Sequence, residues 1–318
     1  MARQLMRPFL FKVSFMNIGM TLCMDHSQYG QSAWIQSLAE GLGITEGTLF
    51  EAGAHQPNRI SNSRSFLESG WKALLVEAST DNCLKWEKFN HPKASIFNEK
   101  ISYKHGGLDK ILERVDSPFD IDVLFLDIDG AEYQLLHNMS LYRPKIICVE
   151  YDNSYPLSID FVPKFSWNSI ESGQCSSTAM YRMMSSKGYI YVNSFFIDHV
   201  FISQELLSKF RNLPGYDSWG QKAFSRIAPK NLYQFNRVLL NQPPGKGGKG
   251  IEFYQSKLNN LVVNQYYRDA SHYFYFLSQF FESFSPFVSY ARGKEYFDDY
   301  VKQLDSFNNE YADSLFFL

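Results

Sequence analysis

The chain has 318 residues, with 31 Lys and Arg against 33 Asp and Glu and a net charge of -2. This length allows one large domain or two ordinary ones, and the near-neutral charge argues against broad nucleic-acid binding. The hydrophobic share of 45% excludes global disorder. The four cysteines form no CxxC pair, which favours free thiols and a cytoplasmic location. No apolar run is long enough to predict a transmembrane segment.

Short apolar runs alternate with helix-compatible stretches between Thr48 and Ser203. The runs predict strands at Thr48–Glu51, Ala73–Glu77, Ser95–Phe97, Val123–Asp127 and Lys145–Glu150. The intervening stretches predict helices at Asn62–Ser69, Thr80–Phe89, Leu108–Arg114, Ala131–Asn138 and Ser177–Ser186. The last runs, Tyr189–Val192 and Phe196–Ile202, predict a hairpin. We therefore expect an α/β fold with βαβ units, a Rossmann-like doubly wound sheet and a helical C-terminal extension.

The C-terminal part differs in composition from the rest of the chain. Residues 251–318 hold 20 of the 53 aromatic residues and carry a local charge of -4, from 5 Lys and Arg against 9 Asp and Glu. The Gly-, Pro- and Lys-rich segment 242–250 before them lacks the Ser or Thr that completes a phosphate-binding loop, which favours a linker. The predicted parts are an N-terminal helical lead-in (1–47), a main domain (48–203), a connecting segment (204–241), the linker (242–250) and an aromatic extension (251–318).

A stripe of large apolar residues runs through the aromatic extension with steps of three and four, which predicts an amphipathic helix. Its members are Tyr296, Tyr300, Leu304, Phe307, Tyr311 and Leu315. This stripe could pack against the main domain, form a homodimer interface or line a substrate channel.

The predicted functional site lies at the carboxyl ends of the strands, where doubly wound sheets bind ligands. Gly53, after the first strand, allows a close approach of the backbone to a ligand. Glu77, at the end of the second strand, is placed to accept hydrogen bonds from both hydroxyls of a ribose. The segment after the first strand lacks the glycine pattern that binds a pyrophosphate. A nucleoside without phosphate is therefore favoured, which points to S-adenosylmethionine.

An ordered series of segments resembles the FkbM-type methyltransferases. The segments are Ser27-Gln28-Tyr29-Gly30-Gln31, Phe50-Glu51-Ala52-Gly53-Ala54-His55, Ser61-Asn62-Ser63, Gly70 to Glu77, Asp127-Ile128-Asp129-Gly130-Ala131-Glu132-Tyr133, Val149-Glu150-Tyr151 and Lys187-Gly188-Tyr189. This resemblance implies a class I methyltransferase domain that uses S-adenosylmethionine on a hydroxyl of a sugar, glycan or natural product. The implied cofactor-binding residues are Gln28, Glu51, Gly53, Ala54, His55, Asn62, Glu77 and Asp127. The family pattern differs at Gln56-Pro57, where it usually has Asp-Gly, and at Ser32, where it usually has Asp.

The residues predicted to carry the chemistry are mostly acids. O-methylation needs an aligned hydroxyl and often a base, and the candidates are Asp127, Asp129, Glu150 and His199. A divalent cation such as Mg²⁺, bound by Asp129, Asp152 and Asn153, could instead lower the pKa of the hydroxyl.

Two alternatives to a methyltransferase stay open. The departures from the family pattern allow a non-catalytic binding or scaffold module with the same fold. The Asp127-x-Asp129-Gly130 motif also resembles the nucleophile loop of Mg²⁺-dependent haloacid-dehalogenase-type phosphatases. In those enzymes the motif is expected on the first strand, whereas here it follows the fourth.

Overall fold

The computed structural model describes residues 25–28, 30–101, 107–152, 155, 159–163, 173–195 and 197–213. The predicted linker, the aromatic extension, most of the connecting segment and Asn153 lie outside these residues. The domain boundaries predicted there, and the helix predicted at 296–315, stay predictions.

The described chain alternates helices and strands. In chain order the elements are α1 (Gln31–Gly41), β1 (Thr48–Ala52), α2 (Arg64–Glu68), β2 (Lys72–Glu77), α3 (Thr80–Phe89), β3 (Ala94–Asn98), α4 (Gly107–Arg114), β4 (Val123–Leu126), α5 (Glu132–Asn138), β5 (Ile146–Glu150), α6 (Ser177–Ser186), β6 (Tyr189–Phe195), β7 (Asp198–Ser203), a 3₁₀ turn (Gln204–Leu206) and α7 (Leu207–Arg211). Each strand and helix predicted between Thr48 and Ser203 is present, with bounds that differ by a few residues at most.

The strands form one seven-stranded sheet in the order β3-β2-β1-β4-β5-β7-β6. The first five strands are parallel, whereas β7 runs antiparallel to both β5 and β6. The chain moves outward from β1 to β3 and then returns to place β4 on the other side of β1. The exits of β1 and β4 therefore form the topological switch point, where α/β sheets bind ligands. The predicted Rossmann-like doubly wound sheet is confirmed.

Helices cover both faces of the sheet and create two cores. One core contains Phe50, Leu124 and Val149 with apolar residues of α4, α5 and α6. The other contains Leu49 and Phe125 with apolar residues of α1, α2, α3 and α7. Side chains alternate between the faces of a strand, so a residue's position in its strand decides which helices it meets. Within the described residues, no helix has the length and apolarity needed to cross a bilayer.

Candidate active site

The turn after β1 presses against the loop after β4. The N–H groups of Gly53 and Ala54 both donate to the Val76 carbonyl, at 3.0 and 3.2 Å. Gly53 has a φ of +83°, and a Cβ there would lie 1.6 Å from the carbonyl oxygen of Asp127. Glycine is therefore required both by its left-handed backbone and by this contact. The sequence predicted a close approach to a ligand, whereas the neighbour that requires glycine is the backbone of Asp127.

The Glu77 carboxylate joins the exits of β1 and β2. One oxygen accepts the N–H of His55 and the other accepts the N–H of Ser79, both at 2.7 Å. A carboxylate oxygen has two lone pairs, so each can still accept a ligand hydroxyl. The His55 ring contacts the Arg59 carbonyl through Nδ1 at 3.0 Å. His55 thus meets Glu77 through its backbone.

Glu51 lies beneath this turn, where its carboxylate contacts the Asn62–Ser63 segment. Its side chain accepts hydrogen bonds from the N–H of Asn62 at 3.2 Å, from the Asn62 amide at 3.0 Å and from the Ser63 hydroxyl. Burial raises the pKa of Glu51 to about 7. Glu51 is only 1% exposed and fixes the Asn62–Ser63 segment, and its role in cofactor binding stays a prediction.

The other predicted cofactor residues differ in accessibility. Ala54 is fully buried in the core under α1 and α2, and its role in cofactor binding stays a prediction. Asn62 is nearly buried, and its Oδ1 has no hydrogen-bond partner among the described residues. Gln28 is exposed just before α1. Among these three residues, Asn62 is therefore the one with a buried acceptor oxygen that has no hydrogen-bond partner in the described part of the chain.

The exits of β4 and β5 bring three acids together. Asp127, Asp129 and Glu150 each offer a carboxylate oxygen within 4.8 Å of the others. The side chains of Asp127 and Glu150 share a hydrogen bond, and the amide of Gln174 donates to Glu150. Burial, followed by the charge of Asp127, raises the pKa of Glu150 to about 11. Burial also raises the pKa of Asp127, and the hydrogen bond with Glu150 lowers it, so Glu150 is the donor and Asp127 the acceptor of this pair.

The loop that carries Asp129 is held by Glu132. Asp129, Gly130 and Ala131 all have positive φ angles, of 60°, 135° and 76°. Glu132 Oε1 accepts the N–H of Ile128 at 3.1 Å and that of Gly130 at 2.8 Å. Burial raises the pKa of Glu132 to about 7. This arrangement buries Glu132 and leaves Asp129 exposed at the rim.

Asp198 is an acid of this region that the sequence did not single out. The register of β5 and β7 places it opposite Glu150. It is buried, and it accepts a hydrogen bond from the Gln31 amide of α1 at 3.4 Å. Burial, assisted by the charge of Asp127, raises the pKa of Asp198 well above its usual range. No local sequence signal predicts this position, because it depends on β7 inserting beside β5.

His199 was predicted as a candidate base, and its surroundings contradict that role. Its Nε2 lies 2.8 Å from the Ser177 hydroxyl and its Nδ1 lies 3.2 Å from that of Ser194. The ring stacks on Tyr151 with centroids 3.7 Å apart. Burial lowers the pKa of His199 to about 3, and the side chain is 1% exposed. A base must reach the proton that it removes, so His199 is a structural residue of the α6 side.

The acids that lie close together in the described residues differ from the metal ligands predicted from the sequence, which are Asp129, Asp152 and Asn153. Asp152 is buried, and its backbone joins Cys175 and Ser176, while Asn153 lies outside the described residues. The acids that meet Asp129 are Asp127 and Glu150. Their oxygens are of the type that Mg²⁺ prefers, but a cation requires ionised carboxylates. A cation would have to displace the proton that Asp127 and Glu150 share in the metal-free protein, and we derive no step through a cation.

Comparisons with known proteins show that this chain is similar to other proteins in its fold alone. No family model matches the chain, and no curated protein matches it. A TehB-like SAM-dependent methyltransferase from Corynebacterium glutamicum aligns with 13% identity and a TM-score of 0.35, over 56% of this chain and 89% of that one. The N-terminal domain of EvdMO1, solved with SAH and D-fucose, aligns with 10% identity and a TM-score of 0.35, over 56% and 84%.

A third solved structure, the methyltransferase domain of bacterial-CtHen1-C, aligns with 12% identity and a TM-score of 0.35, over 55% of this chain and 97% of that one. At these values the similarities say nothing about substrate or activity. The strand order itself, with β7 inserted antiparallel between β5 and β6, defines a Rossmann-like fold of the class I methyltransferase type.

Proposed function

We propose that this chain is an S-adenosylmethionine-dependent methyltransferase that acts on a hydroxyl of a sugar, glycan or natural product. The observation that carries the proposal is the Glu77 carboxylate, fixed beside the Gly53 turn at the switch point of the sheet. When bound, the cofactor supplies a methyl group on a positively charged sulfonium. The hydroxyl as acceptor rests on the FkbM-like sequence segments, and a cytoplasmic location rests on cysteines that are free and buried at Cys83, Cys148 and Cys175.

The residues at the switch point suit such a cofactor. Glu77 would accept hydrogen bonds from the ribose hydroxyls through its remaining lone pairs. The unpartnered Oδ1 of Asn62 is a buried acceptor that suits the ammonium group of the methionine moiety. The Asp127 carboxylate would supply a negative charge that favours a cationic ligand nearby.

The acids after β4 and β5 provide the base. Transfer of a methyl group to a hydroxyl releases a proton, and a positioned carboxylate can accept it. Asp127 is half-buried and is the acceptor of the pair, whereas Glu150 already holds a proton and donates it in the hydrogen bond to Asp127. We therefore assign the base to Asp127, with Glu150 and Gln174 holding it in place.

Isothermal titration with S-adenosylmethionine tests the proposal. We expect Glu77→Ala to weaken binding about tenfold or more, because hydrogen bonds to a charged group are lost. Glu99→Ala is the matched control, since Glu99 follows β3 and pairs with Arg114 on an exposed surface. No binding at millimolar cofactor would overturn the proposed function, and an unchanged affinity in Glu77→Ala would show that Glu77 does not hold the ribose.

A non-catalytic module with the same fold is the second candidate, and the Gln56–Pro57 segment favours it. The Arg59 N–H donates to the Gln56 carbonyl at 3.3 Å, which closes a tight turn between His55 and Ile60, both with positive φ. Such a module would act in binding or as a scaffold, and an absence of binding at millimolar S-adenosylmethionine would favour it over the enzyme. The phosphatase alternative gains no support, because its motif follows the fourth strand. Release of phosphate from an aryl phosphate with Mg²⁺, abolished by Asp127→Asn, would revive it.

A further inference from the structure

We infer that an exposed apolar patch at the amino edge of the sheet binds the chain's own segment 296–315. The patch consists of Phe119, Leu141 and Tyr142 and is called the amino-edge patch below. Phe119 is 69% exposed and Leu141 is 59% exposed. The other large apolar side chain exposed in the described part of the chain is Leu84, on α3. Phe119 and Leu141 are linked through Tyr142, which follows Leu141 in the chain and stacks on the Phe119 ring.

The amino-edge patch is held rigidly. The Phe119 ring stacks on the buried Tyr142 ring, with centroids 5.0 Å apart and planes 20° apart. The Asp109 carboxylate accepts the N–H of Ser140 at 2.8 Å and that of Leu141 at 3.2 Å. The backbone of Leu141 is therefore fixed in an exposed position, which reduces the backbone entropy lost when a partner binds.

The patch lies at the opposite edge of the sheet from the candidate active site. Phe119 belongs to the loop that enters β4, and Leu141 belongs to the loop that enters β5. Asp122 joins these loops to the start of β1, since it accepts the Thr48 N–H at 2.8 Å and pairs with Lys145 at 2.6 Å. The amino-edge patch is thus a surface separate from the acids after β4 and β5.

The place where the described chain ends points to the occupant. The Leu213 side chain lies against Gly41, and Lys209 of α7 donates to the Leu42 carbonyl at 3.5 Å. Gly41 and Leu42 precede β1, so Leu213, the last residue that the structure describes, lies at the same edge of the sheet that carries the patch. The 37 residues of 214–250 reach up to ~120 Å when extended, so length does not prevent segment 296–315 from returning to it.

The chemistry of segment 296–315 matches the patch. Its predicted apolar stripe of Tyr, Leu and Phe needs a nonpolar surface to leave water. Phe119 and Tyr142 offer aromatic rings, and aromatic pairs are favoured contacts. An amphipathic helix bound along an apolar surface is a common mode of recognition. The interaction does not depend on the proposed methyl transfer.

Hydrogen exchange of the full chain, followed by mass spectrometry, tests the inference. In the variant Phe119→Ser/Leu141→Ser, we expect amides of 296–315 to exchange at least tenfold faster than in the wild type. Leu84→Ser is the matched control, because it removes an exposed leucine from α3 and should leave 296–315 unchanged. Conversely, Tyr300→Ser/Phe307→Ser should increase exchange in 139–143.

Each outcome decides the inference. Unchanged exchange of 296–315 in the patch variant would overturn it. Protection that falls as the protein is diluted would also overturn it, because the patch would then bind a second copy of the chain, as in the homodimer predicted from the sequence. Protection independent of concentration, lost in the patch variant and kept in Leu84→Ser, supports it.

Discussion

The backbone of Gly53 rests against the backbone of Asp127, so that a Cβ on Gly53 would lie 1.6 Å from the Asp127 carbonyl oxygen. The N–H of Asp127 in turn donates to the Ala52 carbonyl at 3.1 Å. The exits of β1 and β4 are thereby locked together at the switch point. The position of the Asp127 carboxylate depends on the absence of a side chain at Gly53.

Replacement of Gly53 by alanine is expected to disrupt both stability and the site. Gly43→Ala is the matched control, because Gly43 has the same φ of +83° but nothing within 4 Å of its Cβ position. Gly43→Ala should cost about 1 to 2 kcal/mol for the left-handed backbone alone. Gly53→Ala should lower the free energy of unfolding, measured by urea unfolding, clearly more than Gly43→Ala does. It should also weaken cofactor binding, measured by titration. Equal losses in the two variants would contradict the contact with Asp127.

The buried Glu51 should make the protein less stable as the pH rises. Its folded pKa of about 7 exceeds the unfolded 4.5, so the folded state binds the extra proton between these values. Its contribution to stability is present at low pH and is lost as the pH rises through 7. Between pH 5 and pH 8 the loss is about 2 to 3 kcal/mol. Glu51→Gln should lack this part of the pH dependence in urea unfolding, whereas Glu46→Gln, at an exposed residue, should keep it.

The buried His199 should have the opposite pH dependence. Its folded pKa of about 3 lies below the unfolded 6.5, so the unfolded state takes up the proton and stability falls as the pH falls below 6.5. His199→Phe keeps a ring on Tyr151 but loses two hydrogen bonds, which should cost about 2 kcal/mol at pH 7. We expect the difference in the free energy of unfolding between wild type and variant to be about 2 kcal/mol smaller at pH 5 than at pH 7. A variant that folds normally but has no methyl transfer would restore His199 as a base.

Two amide substitutions can distinguish the roles of Asp127 and Glu150 in catalysis. Asp127→Asn removes the base and should lower kcat by about 10²- to 10⁴-fold. Glu150→Gln keeps a neutral donor beside Asp127 and should retain most of the activity. If Glu150→Gln loses as much kcat as Asp127→Asn, Glu150 acts in its ionised form and the assignment of the base is wrong.

Chelation tests the metal hypothesis separately. Because a cation would have to displace the proton that Asp127 and Glu150 share, we expect methyl transfer to survive EDTA. An activity that EDTA abolishes and Mg²⁺ restores would contradict this expectation. In that case Asp129→Asn should lower the affinity for Mg²⁺, since Asp129 is the exposed acid of the three.

Much of the site could be predicted because its residues lie next to strands with clear patterns. Gly53, Glu77 and Asp127 each follow an apolar run directly, so strand prediction placed them at one edge of the sheet. The partners of Glu51 and His199 could not be predicted in this way. Both residues were chosen for their chemistry, whereas their burial depends on Asn62, Ser63, Ser177 and Tyr151 from other elements.

The sequence by itself determined the order and type of the elements, because the alternation of apolar and polar residues is a local signal. It also determined that acids stand at the ends of β1, β2, β4 and β5. Only the tertiary structure decided which acids meet. The insertion of β7 beside β5 placed Asp198 opposite Glu150, and the crossover at the switch point brought Gly53 to Asp127. Burial then decided which of them hold protons, because desolvation depends on neighbours that are far away along the chain.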